Sequence, residues 1–178
     1  TLSFGDIITK FSPGDFHPPL YYLLLKIWIG FFGSTELSVR LLSVIFGVGA
    51  VYLTQKITSK LFKNENLGYL SAFLLALSPL HIYYSQEARM YSMAVLLTLL
   101  TVWFYTKIWI DGYKIYYRIG FVLSSVLLLY TNYLSSLILL VIVVVLVLEK
   151  KHLLLHFKFW STSFFAIFLI FLPWSSIF

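Results

Sequence analysis

The residues best suited to chemistry lie in one stretch, Tyr83-Tyr84-Ser85-Gln86-Glu87-Ala88-Arg89-Met90-Tyr91-Ser92, which sets a carboxylate, a guanidinium and several hydroxyls between two long apolar runs. An ionisable group at or inside a bilayer is costly unless it is paired, hydrated or used. Glu87 can take a proton from a hydroxyl nucleophile, and Arg89 can bind a phosphate through parallel N–H bonds while staying charged. The structural alternative is a carboxylate held by a helix dipole and an ion pair from Arg89 to Glu87 or Glu36.

The surroundings must be membrane. With 60% apolar and only 11% charged residues and a mean hydropathy of +0.90, a soluble domain would lack the polar surface to cover itself. The apolar runs have helical length and lack the alternation of a membrane barrel, so the expected fold is all-α, a polytopic transmembrane helix bundle. The absence of cysteine removes disulfide frameworks, thiol nucleophiles and thiolate metal sites. The net charge of +6 sits largely in three clusters: Lys56, Lys60 and Lys63; Lys107, Lys114 and Arg118; Lys150, Lys151 and Lys158. They recur at every second turn between apolar runs, which is the positive-inside pattern; the expected partner is the bilayer and not nucleic acid.

These signals order the elements. His17-Pro18-Pro19 starts a helix, because proline fits a first turn and blocks helix before it; Leu20 to Phe32 then reaches roughly 20 Å, too short for the hydrocarbon core. It reads as an interfacial helix, with Tyr21, Tyr22 and Trp28 at headgroup level. Ser34 or Thr35 caps the next helix, which runs to Phe62 and carries Gly47 and Gly49 for close helix contact. Leu67 to Tyr84 returns, Met90 to Ile110 crosses again, and residues 119–148 form two helices of about 15 residues around a recessed turn at Asn132. A last helix runs from Phe159 to Pro173. The expectation is about six membrane helices plus the interfacial one, in a single membrane domain over 1–178, with 1–33 as an outer loop and 34–178 as the spanning part. Neither end looks like a natural terminus, so the chain reads as a segment of a longer protein. The charge bias puts Asp15, His17, Glu36, Arg40, Glu87, Arg89 and Asn132 together on the outer side.

Two stretches in combination carry a family resemblance. Phe16-His17-Pro18-Pro19-Leu20-Tyr21-Tyr22-Leu23-Leu24-Leu25, with Phe32-Gly33-Ser34-Thr35-Glu36 and Arg40-Leu41-Leu42-Ser43, and then Tyr84-Ser85-Gln86-Glu87-Ala88-Arg89-Met90-Tyr91, resemble polyprenyl-phosphate-sugar-dependent glycosyltransferases of the GT-C type. Within that type the chain is similar to the protein mannosyltransferase and aminoarabinose lipid A transferase group, the glycosyltransferase 39 family, over residues 10 to 135. The resemblance implies a multi-helix membrane core, juxtamembrane helices in the first outer loop, and an extracytoplasmic site moving sugar from a polyprenyl-phosphate donor to a protein, lipid or glycan acceptor. It matches Glu87 to the outer-loop acid and His17 to the basic residue before the double proline. The family's Asp-Glu pair after the first membrane helix has no counterpart here, so the segment alone would be inactive.

On this reading Glu87 is the catalytic residue, and Arg89, His17, Tyr84, Gln86, Tyr91 and Asn132 bind substrate. Relatives often carry His at the Asn132 turn, which leaves its phosphate or metal role open; no cofactor is assigned, and a divalent metal remains an open alternative. Glu36 and Arg40, spaced i, i+4, read as a structural pair, and His81 as a satisfied interfacial histidine. His152 and His156 read as solvated. The rival function is a transporter or lipid flippase using Glu87 and Arg89 as substrate or gating charges, though such proteins gather polar groups near the bilayer midplane.

Overall fold

The computed structural model describes residues 3–8 and 17–175, and the backbone there is helical, with no strand among the described residues. Asp15 and the expected turn at 12–15 lie outside them. One helical turn, Phe4–Asp6, is closed by reciprocal bonds between Ser3 and Asp6, and Lys26 sits 4.3 Å from the centroid of Phe4.

Helix α1, Leu20–Phe32, begins directly after the double proline, as that sequence dictates, and ends at Gly33, whose φ of +76° suits glycine. Thr35 Oγ1 then accepts from the Ser38 amide and starts α2, Glu36–Phe62. Tyr21 and Trp28, seven residues apart, share the face that packs on α2. The Tyr21 hydroxyl is 3.1 Å from Ser43 Oγ, and Trp28 Nε1 donates to the Ser38 carbonyl at 2.9 Å. Tyr21 is therefore buried in protein instead of meeting headgroups, and Ile27, Phe31 and Phe32 form the exposed side.

Lys63, in the left-handed region, ends α2, and the Asn64 side chain caps α3, Glu65–Ala76. The two helices touch at Gly68, where a Cβ would collide with Ser59 and the Gln55 carbonyl. The single helix expected over 67–84 is instead two: α3 ends, Ser78 caps, and α4, Pro79–Gln86, leaves at 61°. Proline causes the break, since the residue before it avoids helical backbone angles and its own nitrogen donates no bond.

The rest comprises α5, Tyr91–Asp111; α6, Ile115–Leu129; a tight turn, Leu134–Ser136; α7, Leu137–Leu148; α8, Lys150–Leu155; and α9, Phe157–Ser175. By length and composition α2, α5 and α9 can each cross a membrane, and the bent pair α3–α4 makes a fourth candidate. The remaining two expected crossings are the short apolar helices either side of Asn132, 115–129 and 134–148.

α2 packs on α3 and α5, α5 on α6, and α6 on α9. The antiparallel run gives the bundle two ends, each with its own buried cluster. Tyr21, Leu42, Met90, Met93, Leu97 and Leu128 fill the half where α5 begins, and Ile108, Phe121, Ile142, Leu146, Trp160 and Ile167 fill the other. Large apolar side chains such as Val48, Leu70, Phe73, Phe165 and Phe168 cover the outside, the surface of an integral membrane protein that meets lipid.

Candidate active site

The Glu87–Arg89 loop joins α4 to α5 and is folded back by its own side chains. Ser92 Oγ, in the first turn of α5, donates to the Tyr84 carbonyl at 2.7 Å, and the Tyr84 and Tyr91 rings lie 4.6 Å apart. Met90, between them, is buried against Tyr21 and fixes the loop on α1. α4 reaches this position through Gly47 of α2: a Cβ there would overlap Ser85, and His81 Nε2 lies 3.2 Å from the Gly47 carbonyl. A carbonyl only accepts, so Nε2 is the protonated nitrogen, and His81 is the satisfied histidine expected.

Glu87 is half-exposed, and its Oε1 accepts from the Tyr83 hydroxyl at 3.1 Å. Among the described residues it forms no ion pair. Glu36 is taken by Arg40 at 2.6 Å, an exposed i, i+4 pair, so it does not anchor Arg89. Arg89 is exposed, and the Tyr91 phenol beside it, with Tyr22 and Glu87 adding smaller effects, pushes the guanidinium's pKa still further up, so it stays a cation. Gln86 closes α4 with an exposed side chain.

His17 and Asn132 come to the same end by a different route. The Leu20 amide, just past the double proline, donates to the Tyr130 carbonyl at 3.1 Å and holds the His17 turn against the Asn132 turn. Asn132 and Thr131 are buried in protein, which is how a polar turn among apolar helices becomes tolerable. Asn132 Oδ1 accepts from the Leu134 and Ser135 amides at 2.9 and 3.2 Å, so half of this side chain is committed to shaping its own turn. Trp174 Nε1 donates to the Tyr133 hydroxyl at 2.5 Å and ties α9 to the same turn. The His17 turn, the Glu87–Arg89 loop and the Asn132 turn therefore share one end of the bundle.

Tyr22 beside Arg89 escaped the sequence reading, which saw only an interfacial aromatic. At the opposite end Asp111 takes Lys60 at 2.7 Å and Lys107 at 2.6 Å. The i, i+4 spacing of Lys107 and Asp111 was a visible signal; Lys60, on another helix, gave none. His156 is not solvated as expected: it stacks on Tyr113 with centroids 3.5 Å apart. Among the described residues no three histidine, aspartate or glutamate side chains converge as a metal would require.

Comparison with curated proteins and with solved structures returns no match. The sequence profile of the family described as dolichyl-phosphate-mannose-protein mannosyltransferase matches residues 16–177, which takes in both the His17 and the Glu87 motifs. By that match over nearly its whole length, the chain belongs to the dolichyl-phosphate-mannose-protein mannosyltransferase family of GT-C membrane glycosyltransferases.

Proposed function

We propose that the Glu87 end of this bundle forms part of a site that moves a sugar from a polyprenyl-phosphate donor to a hydroxyl of a protein, lipid or glycan acceptor on the extracytoplasmic face. The observation that carries it is the Glu87–Arg89 pair itself: a carboxylate without an ion pair among the described residues, two residues from a solvent-facing guanidinium, in a loop pinned by Met90, Ser92 and Tyr84. The acceptor oxygen attacks the anomeric carbon while the bond from that carbon to the phosphate oxygen breaks. The hydroxyl proton passes to Glu87, and the electron pair leaves on the polyprenyl phosphate, whose charge Arg89 meets with its forked donors. Tyr84, Tyr91 and Gln86 offer groups to the sugar hydroxyls, and His17 to the phosphate. Asn132 keeps its Nδ2 for substrate while its Oδ1 shapes the turn.

The charges support this sidedness: Lys60, Lys107, Lys114, Arg118 and Lys158 gather at the Asp111 end, the end that a positive-inside pattern favours for the cytoplasm. With no native cysteine in the chain, Ser85→Cys should react with a membrane-impermeant thiol reagent in intact cells and Lys63→Cys should not; reversed labelling refutes this orientation.

The direct test is transfer from a polyprenyl-phosphate sugar by membranes holding the intact protein. Loss of a general base predicts about a 100- to 10,000-fold slower reaction for Glu87→Gln. Loss of a charge-stabilising donor predicts about a 100- to 1,000-fold slower one for Arg89→Gln. If both inserted variants retain wild-type rates, the site lies elsewhere.

A further inference from the structure

A second polar site lies at the other end of the bundle, and the glycosyl-transfer reading makes no use of it. Arg118, one turn into α6 and half-buried, donates from Nε to Ser163 Oγ at 3.1 Å and from Nη2 to Thr162 Oγ1 at 2.7 Å, both on α9. Its guanidinium lies over the Phe159 ring, 5.3 Å from the centroid. Every one of these partners is neutral. The nearby carboxylate Asp111 is occupied by Lys60 and Lys107, and among the described residues no carboxylate pairs with Arg118 or with Lys158. Arg118 is thus pinned in place with Nη1 uncommitted, and it lines a pocket of about 410 Å³ with His156, Lys158 and Thr162. Thr162 gives its hydroxyl proton to the Lys158 carbonyl and serves to hold Arg118, which leaves a guanidinium, an ammonium and an imidazole around one hollow, the donor set of a phosphate site.

The shape beyond Arg118 narrows the ligand. The same side chain also lines a groove of about 410 Å³ between α6 and α9, whose walls, among them Ile119, Val122, Val126, Ala166 and Ile170, are otherwise apolar. From Arg118 to Val126 the groove follows α6 for roughly 12 Å. A free phosphate would fill only the polar pocket, and an apolar helix only the groove. A phospholipid with an anionic headgroup fills both, with its phosphate at Arg118 and an acyl chain along the groove. The 21 residues of α5 separate this end from Glu87 by roughly 31 Å, so the donor site is not involved.

We infer that the α6–α9 groove is a binding site for one anionic phospholipid, recognised through its phosphate by Arg118, Lys158 and His156. The test is native mass spectrometry of the intact protein in detergent with phosphatidylglycerol or phosphatidylcholine added at equal concentration. The wild type should bind phosphatidylglycerol about tenfold tighter. Arg118→Gln with Lys158→Gln should abolish that preference, whereas Lys56→Gln with Lys63→Gln, the same charge loss elsewhere at this end, should keep it. Lys158→Gln alone, at an exposed position and so without risk to folding, should lower the preference about threefold. Ala166→Leu, which fills the groove, should weaken binding of both lipids. Equal loss of preference in the two double variants, or displacement of the lipid by glycerol 3-phosphate at the same concentration as by phosphatidylglycerol, would overturn the inference.

Discussion

Glu87 and Asp111 stand at opposite ends of α5, and they are carboxylates in opposite conditions. Asp111, about 20% exposed, receives Lys60 and Lys107 at 2.7 and 2.6 Å and the Tyr117 hydroxyl at 3.3 Å. A carboxylate has about four acceptor positions, and Asp111 has committed two to cations on its own and a neighbouring helix and a third to the Tyr117 phenol. Among the described residues Glu87 holds a single phenol, and Arg89, two residues on, forms no ion pair with it. One acid stitches α2, α5 and α6 together, while the other is held loosely enough to exchange partners. A proton acceptor in a reaction needs the second condition, and a structural anchor needs the first.

Exchanging each for its amide should separate the two conditions most sharply. In the intact protein Glu87→Gln should slow sugar transfer by about 100- to 10,000-fold without moving the thermal midpoint. Asp111→Asn should do the reverse, lowering the midpoint while the rate per folded molecule stays near wild type, because Lys60 and Lys107 would lose the charge that satisfies them. A thermal midpoint that falls equally in both would erase the distinction drawn between the two ends.

The buried clusters extend the comparison. Trp160, 1% exposed, packs edge-on against Phe121 at 5.7 Å and Tyr113 at 6.2 Å, in the half of the bundle away from Glu87. Trp160→Ala should cost about 3–5 kcal/mol in thermal or denaturant unfolding and leave the rate of the surviving folded molecules unchanged. A loss below about 1 kcal/mol would mean the aromatic cluster is looser than its packing indicates.

How much of this the sequence disclosed depends on the range of the interaction. Local chemistry was plain: the double proline set the start of α1 at Leu20, Thr35 supplied the cap, Glu36 and Arg40 paired one turn apart, and Asn132 divided two short helices. Pro79 was visible too, but that Ser78 would cap a separate helix and turn it by 61° required knowing the backbone there. Pairings between helices left no trace. Lys60 with Asp111 and Arg118 with Thr162 depend on which helices are neighbours and how they are rotated, and hydropathy runs do not encode that. The candidate site shows the same division. Glu87 and Arg89 announce themselves as charges between apolar runs, whereas Tyr22 bears on Arg89 only through the fold, which turns Tyr21 inward to Ser43.

Gly47 tests how the Glu87 end is supported. A methyl group there would land on Ser85, forcing α4 away from α2 and stretching the His81 bond to the Gly47 carbonyl. Gly47→Ala should destabilise by about 1–3 kcal/mol. Because α4 carries Tyr83 and Tyr84, transfer should slow as well, and Ser85→Gly in the same molecule should restore part of both by vacating the space. If transfer falls but Ser85→Gly restores nothing, the close approach of α2 and α4 is not what places the Glu87 loop.

The smallest effects belong to the turns at the Asp111 end, where two residues adopt positive φ. Lys63, at +50°, pays the steric cost of a side chain in the left-handed region, while Gly112, at +97°, avoids it. Gly112→Ala should therefore destabilise by about 1–2 kcal/mol. Lys63→Gly gains a similar relief but gives some back through the added freedom of glycine in the unfolded chain, for a net stabilisation of about 0.5 kcal/mol. Opposite signs for the two substitutions in thermal unfolding would show that backbone geometry, and not the charge of Lys63, governs that turn. Should Lys63→Gly destabilise, the ammonium itself supports the α2–α3 corner, and the Asp111 end would then depend on its cations more widely than Lys60 and Lys107.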